Sequence, residues 1–189
     1  MLAVVGNPDV PAEVIIENNQ YTVPVSVAKR YFIEDLGSLD DFDFNDIVVD
    51  VFQDYNILHN VTLENGQIKS DVASDPVAVG QRAIVRALGG TIDIELQIGS
   101  TTWKKNSKFN VKEMLNTSDI NYNKKLDEFT VTGWNPDANN VSVRVEEASG
   151  NVYTVEFPKS GSAPMIIAKD INKKWQGERQ SVTAAWFSK

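Results

Sequence analysis

The sequence predicts an all-β protein, an antiparallel β-sandwich or jelly-roll-like fold with at most one or two short helices. Three observations predict this class. Apolar residues alternate with polar ones along much of the chain, turn residues separate the alternating runs at short intervals, and few stretches have helical periodicity. Many short strands at close spacing are typical of antiparallel sandwiches.

The alternating runs define the strands in chain order. Residues 57–63 and 68–72 flank Asn65-Gly66, a strong signal for a two-residue hairpin turn, and residues 141–145 and 152–157 form a second predicted hairpin. One short helix is expected at residues 111–115, with Asn110 as its cap. The other strand candidates are residues 14–16, 23–27, 31–33, 47–52, 83–88, 91–98, 129–132 and 181–187.

The length of the chain favours a single domain. With 189 residues and no linker-like segment, a single β-sandwich domain over residues 1–189 is expected, with residues 1–24 as an N-terminal strand or arm. No run of about 18 apolar residues is present, so no transmembrane segment is predicted. The first residues lack the basic start and long apolar stretch of a secretory signal, which is expected of a cytosolic protein or of a trimmed mature chain.

Composition excludes several kinds of site. The chain has no cysteine and one histidine, His59, so thiolate and most imidazole metal sites are excluded and oxygen ligands remain. The net charge of −8 is concentrated in one segment, because residues 31–68 contain nine acids and no Lys or Arg. A nucleic-acid partner is not expected, since a phosphate-binding surface needs positive charge.

The acidic segment is the strongest candidate for chemistry. Two predicted strands enclose a loop that is rich in carboxylates, and like charges about 4 Å apart repel by roughly 1 to 4 kcal/mol. A divalent cation would offset this repulsion, and Ca²⁺ prefers six to eight oxygen ligands. The candidate metal ligands are Glu34, Asp35, Asp41, Asp43, Asn45, Asp46 and Asp50.

Spacing ranks these candidates. Asp41, Asp43 and Asn45 match positions 1, 3 and 5 of an EF-hand-type loop, but Asp46 stands where that loop has glycine. Asp46 and Asp50 would lie about 13 Å apart on an extended strand at ~3.3 Å per residue, too far to share one ion. Asp50 is therefore expected to support the site or to bind a separate ion.

Two further questions stay open at this stage. Glu34 and Asp35 point to opposite faces of an extended strand, so one is expected to reach the loop and the other to be solvated or paired elsewhere. A solvated acidic loop without metal is the alternative to a calcium site. The aromatic residues Phe42 and Phe44 alternate with the acids and favour an ordered loop.

These residues resemble the LruC-type domain of unknown function, which occurs in exported and lipid-anchored bacterial proteins. The most specific likeness is Glu34-Asp35-Leu36 followed by residues 41–46 (Asp-Phe-Asp-Phe-Asn-Asp) and a strand ending at Asp50. Weaker landmarks follow at residues 86–91, 114–117, 161–164 and 175–178. The resemblance covers residues 25–189 and implies an exported β-rich domain with a calcium site and no enzyme activity. The chain departs from it at Ala185-Trp186-Phe187, so no function is carried over to that end.

Two classes of function remain from the sequence. The first is a structural or adhesive module of a bacterial surface protein, stabilised by Ca²⁺, with other surface subunits as partners and an extracellular or cell-surface location. The second is a calcium-dependent carbohydrate-binding module for a cell-surface glycan, with the exposed rings of Trp134 and Trp103 as candidate sugar platforms. Buried tryptophans would favour the first class. Catalysis is not expected, because His59 has no marked partner and the acids are too clustered to assign an acid and base pair.

Overall fold

The computed structural model describes residues 15–35, 43–159 and 164–187. Within these ranges the chain forms ten β-strands, a 3₁₀ turn at Lys105–Ser107 and a short helix α1 at Ala184–Phe187. None of the described helices has the length and apolar character needed to cross a membrane. The strands are β1 Gln20–Ile33, β2 Ile47–Glu64, β3 Gln67–Ala73, β4 Val77–Ala87, β5 Asp93–Ile98, β6 Thr101–Lys104, β7 Asp127–Val131, β8 Val141–Glu146, β9 Val152–Val155 and β10 Ile166–Lys169.

The strands form two sheets. The first has the order β10-β1-β2-β4-β7, and β3 also pairs with β2; the second has the order β6-β5-β8-β9. The β1–β10, β2–β3 and β4–β7 pairs of the first sheet are antiparallel. Every pair of the second sheet is antiparallel as well. The predicted all-β sandwich class is confirmed.

The described residues divide into two compact units. The large unit is Ala28–Phe52 with Gln81–Lys189, and the small unit is Met1–Val27 with Gln53–Gly80, in each case as far as the chain is described. The expectation of one domain over residues 1–189 stays a prediction.

The main core of the large unit lies between its two sheets. Alternate residues of β2, Ile47, Val49 and Val51, are fully buried there and meet the alternate residues of β5 and β8 from the second sheet. This is the expected result of side chains that alternate between the two faces of a strand. Burying each such aliphatic side chain contributes about 1.5 to 3 kcal/mol.

A second core lies on the other face of the first sheet. Phe32 and Val48 occupy the alternate positions of β1 and β2, and they pack with Phe44, Trp175 and Trp186. The ends of β1 and β2 that flank the acidic loop are therefore buried on both faces, which explains their unbroken apolar runs. This second core holds the C-terminal segment of residues 164–187 against the sheet.

The small unit contains the predicted hairpin of β2 and β3. Asn65 and Gly66 both have positive φ, at 52° and 77°, as a two-residue hairpin turn between twisted strands requires. A small apolar cluster containing Ile16, Tyr21 and Val61 supports this unit.

Several details differ from the sequence-based expectations, among them β6 and β10, which no alternating run predicted. Strand β1 contains both residues 23–27 and residues 31–33, which were predicted as separate strands. Strand β2 likewise contains residues 47–52 and 57–63, because the polar residues between the two runs continue the strand. Residues 111–115 form turns rather than a helix, because Asn110 closes a tight turn by accepting from the amide of Lys112 at 3.1 Å. Residues 181–187 do not form a strand but end in α1, which places the ring of Trp186 in the second core.

Candidate metal centre

The acidic loop connects β1 to β2 in the large unit. Glu34 and Asp35 follow β1 directly, and residues 43–46 lead into β2. Asp41, one of the candidate ligands, lies outside the described residues, as does Phe42. The described part of the loop brings Glu34, Asp35, Asp43 and Asn45 into the interior, where each has at most 4% of its surface exposed.

Two of these carboxylates accept hydrogen bonds from the backbone. Glu34 Oε1 accepts from the amide of Phe44. Asp43 Oδ2 accepts from the amide of Arg179 at 2.6 Å, and its Oδ1 accepts from the amide of Asn45 at 3.3 Å. Glu34 thus links the start of the loop to its end at Phe44, whereas Asp43 links the loop to the C-terminal segment at Arg179.

Phe44 anchors the loop. Its backbone has a φ of +55°, a left-handed conformation that is uncommon for a residue other than glycine. Its ring is fully buried and stacks on Trp186 with centroids 5.6 Å apart, and it meets Phe187 edge-on at the same distance. Phe44 is therefore anchored in the second core, while residues 36–42 of the loop lie outside the described residues.

Asp35 and Asp46 face each other across the ends of the loop. The amide of Asp35 donates to Asp46 Oδ2 at 2.8 Å, and the carbonyl of Asp35 accepts from the hydroxyl of Tyr153 at 2.7 Å. Because β1 ends at Ile33, the alternation of a strand does not extend to residues 34 and 35. Both side chains are buried, so the expectation that one of them could be solvated is wrong. Glu34 reaches the loop through the amide of Phe44, whereas the carboxylate of Asp35 interacts with Lys105.

The Gly89-Gly90 pair closes tightly on the loop. The amide of Gly89 donates to the carbonyl of Asn45 at 3.0 Å. A Cβ atom at residue 89 would lie 2.2 Å from Asn45 Oδ1, and one at residue 90 would lie 1.8 Å from Asp35 Oδ2. The glycines thus leave room for two side-chain oxygens of the acidic loop, a role that goes beyond the turn expected from the sequence.

Asn45 presents a buried oxygen. Its side-chain Nδ2 donates to the carbonyl of Gln176 at 3.2 Å. Its Oδ1 is buried and has no hydrogen-bond donor among the described residues. Burying an amide oxygen without a partner costs about 1 to 3 kcal/mol, so such an atom calls for a donor or a cation.

A cavity of about 570 Å³ lies between the acidic loop, the turn after β4 and the C-terminal segment. Asp35, Asp46 and Glu178 contribute carboxylates to its lining, and Gly89 and Gly90 form part of its wall. The remaining lining residues are Thr91, Ile92, Met114, Arg179 and Ser181.

A buried lysine lies close to the cavity. The side-chain ammonium of Lys105, which is fully buried, donates to the carbonyl of Gly90. Burial lowers the pKa of Lys105, and the nearby carboxylates of Asp35, Asp46 and Asp93 act in the opposite direction. Lys105 could not be recognised from the sequence, because Lys104-Lys105 resembles an exposed basic pair and nothing local links it to a loop about 60 residues earlier.

Asp50 is held by two arginines. Its carboxylate accepts from Arg30 at 2.5 and 2.8 Å and from Arg86 at 2.7 Å. Arg30 also donates to the carbonyl of Lys173, and Arg86 donates to the carbonyl of Asn123. The carboxylate is therefore engaged in a buried ion network rather than facing the acidic loop.

Trp134 and Trp103 do not offer stacking surfaces. Both belong to the main core, where Trp134 Nε1 donates to the hydroxyl of Tyr31 and Trp103 Nε1 donates to Asp127, each at 2.8 Å. The other two tryptophans, Trp175 and Trp186, belong to the second core. No tryptophan has more than 8% of its surface exposed. The expectation of an exposed ring at Trp134 or Trp103 is wrong, because both rings are buried and each indole N–H donates to a residue far away in sequence.

Within the described ranges, no three Asp, Glu or His side chains lie close enough together to form a recognisable metal site. No family model, no curated protein and no solved structure matches this chain. The resemblance to the LruC-type domain accordingly stays a prediction.

Proposed function

We propose that the chain is a non-catalytic, calcium-binding β-sandwich module with a structural or adhesive role in a bacterial surface protein. The observation that carries the proposal is the burial of four oxygen-bearing side chains in one short loop, Glu34, Asp35, Asp43 and Asn45. One of these, Asn45, has an oxygen with no donor among the described residues.

Electrostatics favours a cation at this loop. The carboxylates of Glu34, Asp35 and Asp43 are buried at this loop, and the buried ammonium of Lys105 interacts with those of Asp35 and Asp46. Buried carboxylates are costly unless they are paired or coordinate a metal. A Ca²⁺ ion would place positive charge beside them, and it binds carboxylate and amide oxygens alike.

The expected calcium affinity of the site indicates in which cellular compartment the protein works. A site built from loop carboxylates is expected to bind calcium in the range of extracellular modules, with a dissociation constant of about 10⁻⁴ to 10⁻³ M. Such a site fills only where calcium is abundant, which favours a location outside the cytoplasm. The resemblance of residues 41–46 to exported bacterial domains supports the same location, with other surface subunits as partners.

The carbohydrate-binding alternative has lost its main support. It relied on exposed indole rings at Trp134 and Trp103, and both rings are buried. We therefore retain the structural module as the proposed function.

A melting series tests the proposal. Adding about 1 mM Ca²⁺ to chelated protein would stabilise a site with a dissociation constant near 10⁻⁴ M by about 1.4 kcal/mol, which raises the melting temperature by roughly 3 to 6 °C. The Asp43→Ala variant is expected to lose most of this increment relative to its own chelated sample.

The control for that series is Asp137→Ala, an exposed acid on another loop. It should keep the full calcium-dependent rise. An identical melting temperature for the unmodified chain with calcium and with chelator would count against the calcium site.

A further inference from the structure

We propose that one edge of the small unit is a docking surface for an extended, basic segment of another surface protein, which adds to the sheet as a further strand. The surface consists of β3, Gln67–Ala73, and of residues 77–80 at the start of β4, and we call it the β3–β4 edge. The inference rests on the proposed structural or adhesive role and names the class of partner that such a role requires.

The first observation is that this edge has no neighbouring strand. β3 pairs with β2 alone, and β7 pairs with β4 only from Gln81 to Val85. Within the described ranges, no strand therefore lies beyond β3 or beyond residues 77–80. The backbone N–H and C=O groups along such an edge can pair with an incoming chain.

The second observation is the apolar character of the edge. Val72, Val77 and Val79 expose 61%, 64% and 63% of their surface, more than any other large apolar residue in the described part of the chain. Val77 and Val79 are alternate residues of β4, so their side chains share one face. Residues 77–80 include no charged residue. Proteins commonly protect exposed edges with charges, and an apolar edge without them invites pairing with another strand.

The charge of the small unit favours a basic partner over a second copy of this chain. The described residues of the unit, 15–27 and 53–80, contain a single lysine, Lys69, and it pairs with Glu64 at 3.0 Å. The acids in these ranges are Glu17, Asp54, Glu64, Asp71 and Asp75. A second copy would bring the same excess of negative charge to the edge, whereas a basic segment is attracted to it.

Strand addition defines the sequence pattern of the partner. Main-chain hydrogen bonds to the edge supply affinity, and the alternate side chains of the added strand supply specificity. A segment in which apolar residues alternate with Lys or Arg presents an apolar face to Val77 and Val79. It also brings positive charge close to the acids of the unit.

The test measures the binding of labelled peptides to the full chain by fluorescence anisotropy, in buffer that contains Ca²⁺. The probe is a peptide in which Val and Lys alternate. One control peptide has the same composition with all its lysines in one block, and a second has Glu in place of Lys. The chain variants are Val79→Lys, which places a charge on the edge, and Val152→Lys, which adds the same charge at an exposed valine of β9 in the large unit.

The alternating Val–Lys peptide is expected to bind equally well to the unmodified chain and to Val152→Lys. It should bind at least about tenfold more weakly to Val79→Lys, because a lysine on the edge repels the basic strand where it pairs. The two control peptides should bind the unmodified chain at least about tenfold more weakly than the probe, since one lacks the alternation and the other has the wrong charge.

Equal binding of the probe to Val79→Lys and Val152→Lys would overturn the docking surface, and so would absence of binding to the unmodified chain. Sedimentation of the unmodified chain examines the other occupant. Self-association that Val79→Lys abolishes would overturn the basic partner in favour of a second copy. The calcium melting series is independent of these measurements, so its failure would overturn the calcium site and leave the docking surface standing.

Discussion

Two arginine side chains converge on the carboxylate of Asp50, and this network joins three parts of the large unit. Arg30 comes from β1 and is almost fully buried, while Arg86 comes from β4. Their remaining donors reach the carbonyls of Lys173 and Asn123. Asp50 therefore connects the first sheet to the C-terminal segment and to the loop before β7.

Removing the Asp50 carboxylate should be strongly destabilising. The Asp50→Asn variant leaves the buried guanidinium of Arg30 without its counter-charge, an effect that costs about 3 to 5 kcal/mol when one partner of a buried pair is lost. Urea denaturation measures this loss, and Asp137→Asn serves as the exposed control. A loss below about 1 kcal/mol would mean that the network contributes little to stability.

The small unit contains a second polar cluster, centred on Asp71. Tyr21 donates its hydroxyl to Asp71, His59 Nδ1 lies 2.8 Å from the same carboxylate, and the rings of Tyr21 and His59 stack with centroids 4.5 Å apart. Burial raises the pKa of Tyr21 to about 12, and the hydrogen bond to Asp71 acts in the same direction. Since the folded pKa exceeds the ordinary value of 10.0, the stabilising contribution is present below pH 10.0 and is lost as the pH rises through about 12.

Asp71→Asn should bring the pKa of Tyr21 back towards 10.0, because the carboxylate that disfavours the tyrosinate is removed. The tyrosinate absorbance of each protein, minus that of its Tyr21→Phe counterpart, isolates this one hydroxyl. A difference curve that is the same for the unmodified chain and for the Asp71→Asn variant would contradict the assigned hydrogen bond.

Among the elements of the large unit, the turn after β4 packs directly against the acidic loop. Gly89 and Gly90 lie against Asn45 and Asp35 so closely that a methyl group at either position would overlap an oxygen. The amide of Gly89 also donates to the carbonyl of Asp46 at 3.0 Å. The candidate site is thus assembled from the β1–β2 loop, the turn after β4 and the C-terminal segment.

Gly90→Ala should disturb this assembly, because its Cβ would lie 1.8 Å from Asp35 Oδ2 and the carboxylate would have to move. Overpacking of this kind typically costs about 1 to 3 kcal/mol, so we expect a loss of that size in chelator and a smaller calcium-dependent rise. Gly80→Ala is the matched control, since no atom lies within 4 Å of the place that its methyl group would occupy. Equal melting curves for the two variants would refute the close approach of Asp35 to Gly90.

For the fold of the large and small units, local patterns predicted the all-β class and the hairpins, but not β6 or β10. The alternation of residues 141–145 and 152–157 and the Asn65-Gly66 turn are short-range signals, and both hairpins form as expected. The continuity of β1 could not be predicted in the same way, because Arg30 interrupts an apolar run. Its partner, Asp50, lies 20 residues away and only the paired sheet brings them together.

The candidate site was predictable only in part. Its acids stand together in the sequence, but the burial of Glu34 and Asp35, the ammonium of Lys105 and the side chain of Glu178 depend on contacts between distant segments. The burial of the tryptophans also depends on contacts that are distant in sequence. Trp134, for example, donates its indole N–H to the hydroxyl of Tyr31, 103 residues away. Sequence spacing identified the loop, whereas tertiary packing decided which of its side chains face inwards.

Equilibrium dialysis of the full chain against Ca²⁺ measures whether the chain binds calcium at all. We predict about one Ca²⁺ bound per chain, with a dissociation constant of about 10⁻⁴ to 10⁻³ M. Binding should fall sharply in Asp43→Ala. If the chain retains no calcium above the level of the surrounding buffer at these concentrations, the proposed calcium site is wrong.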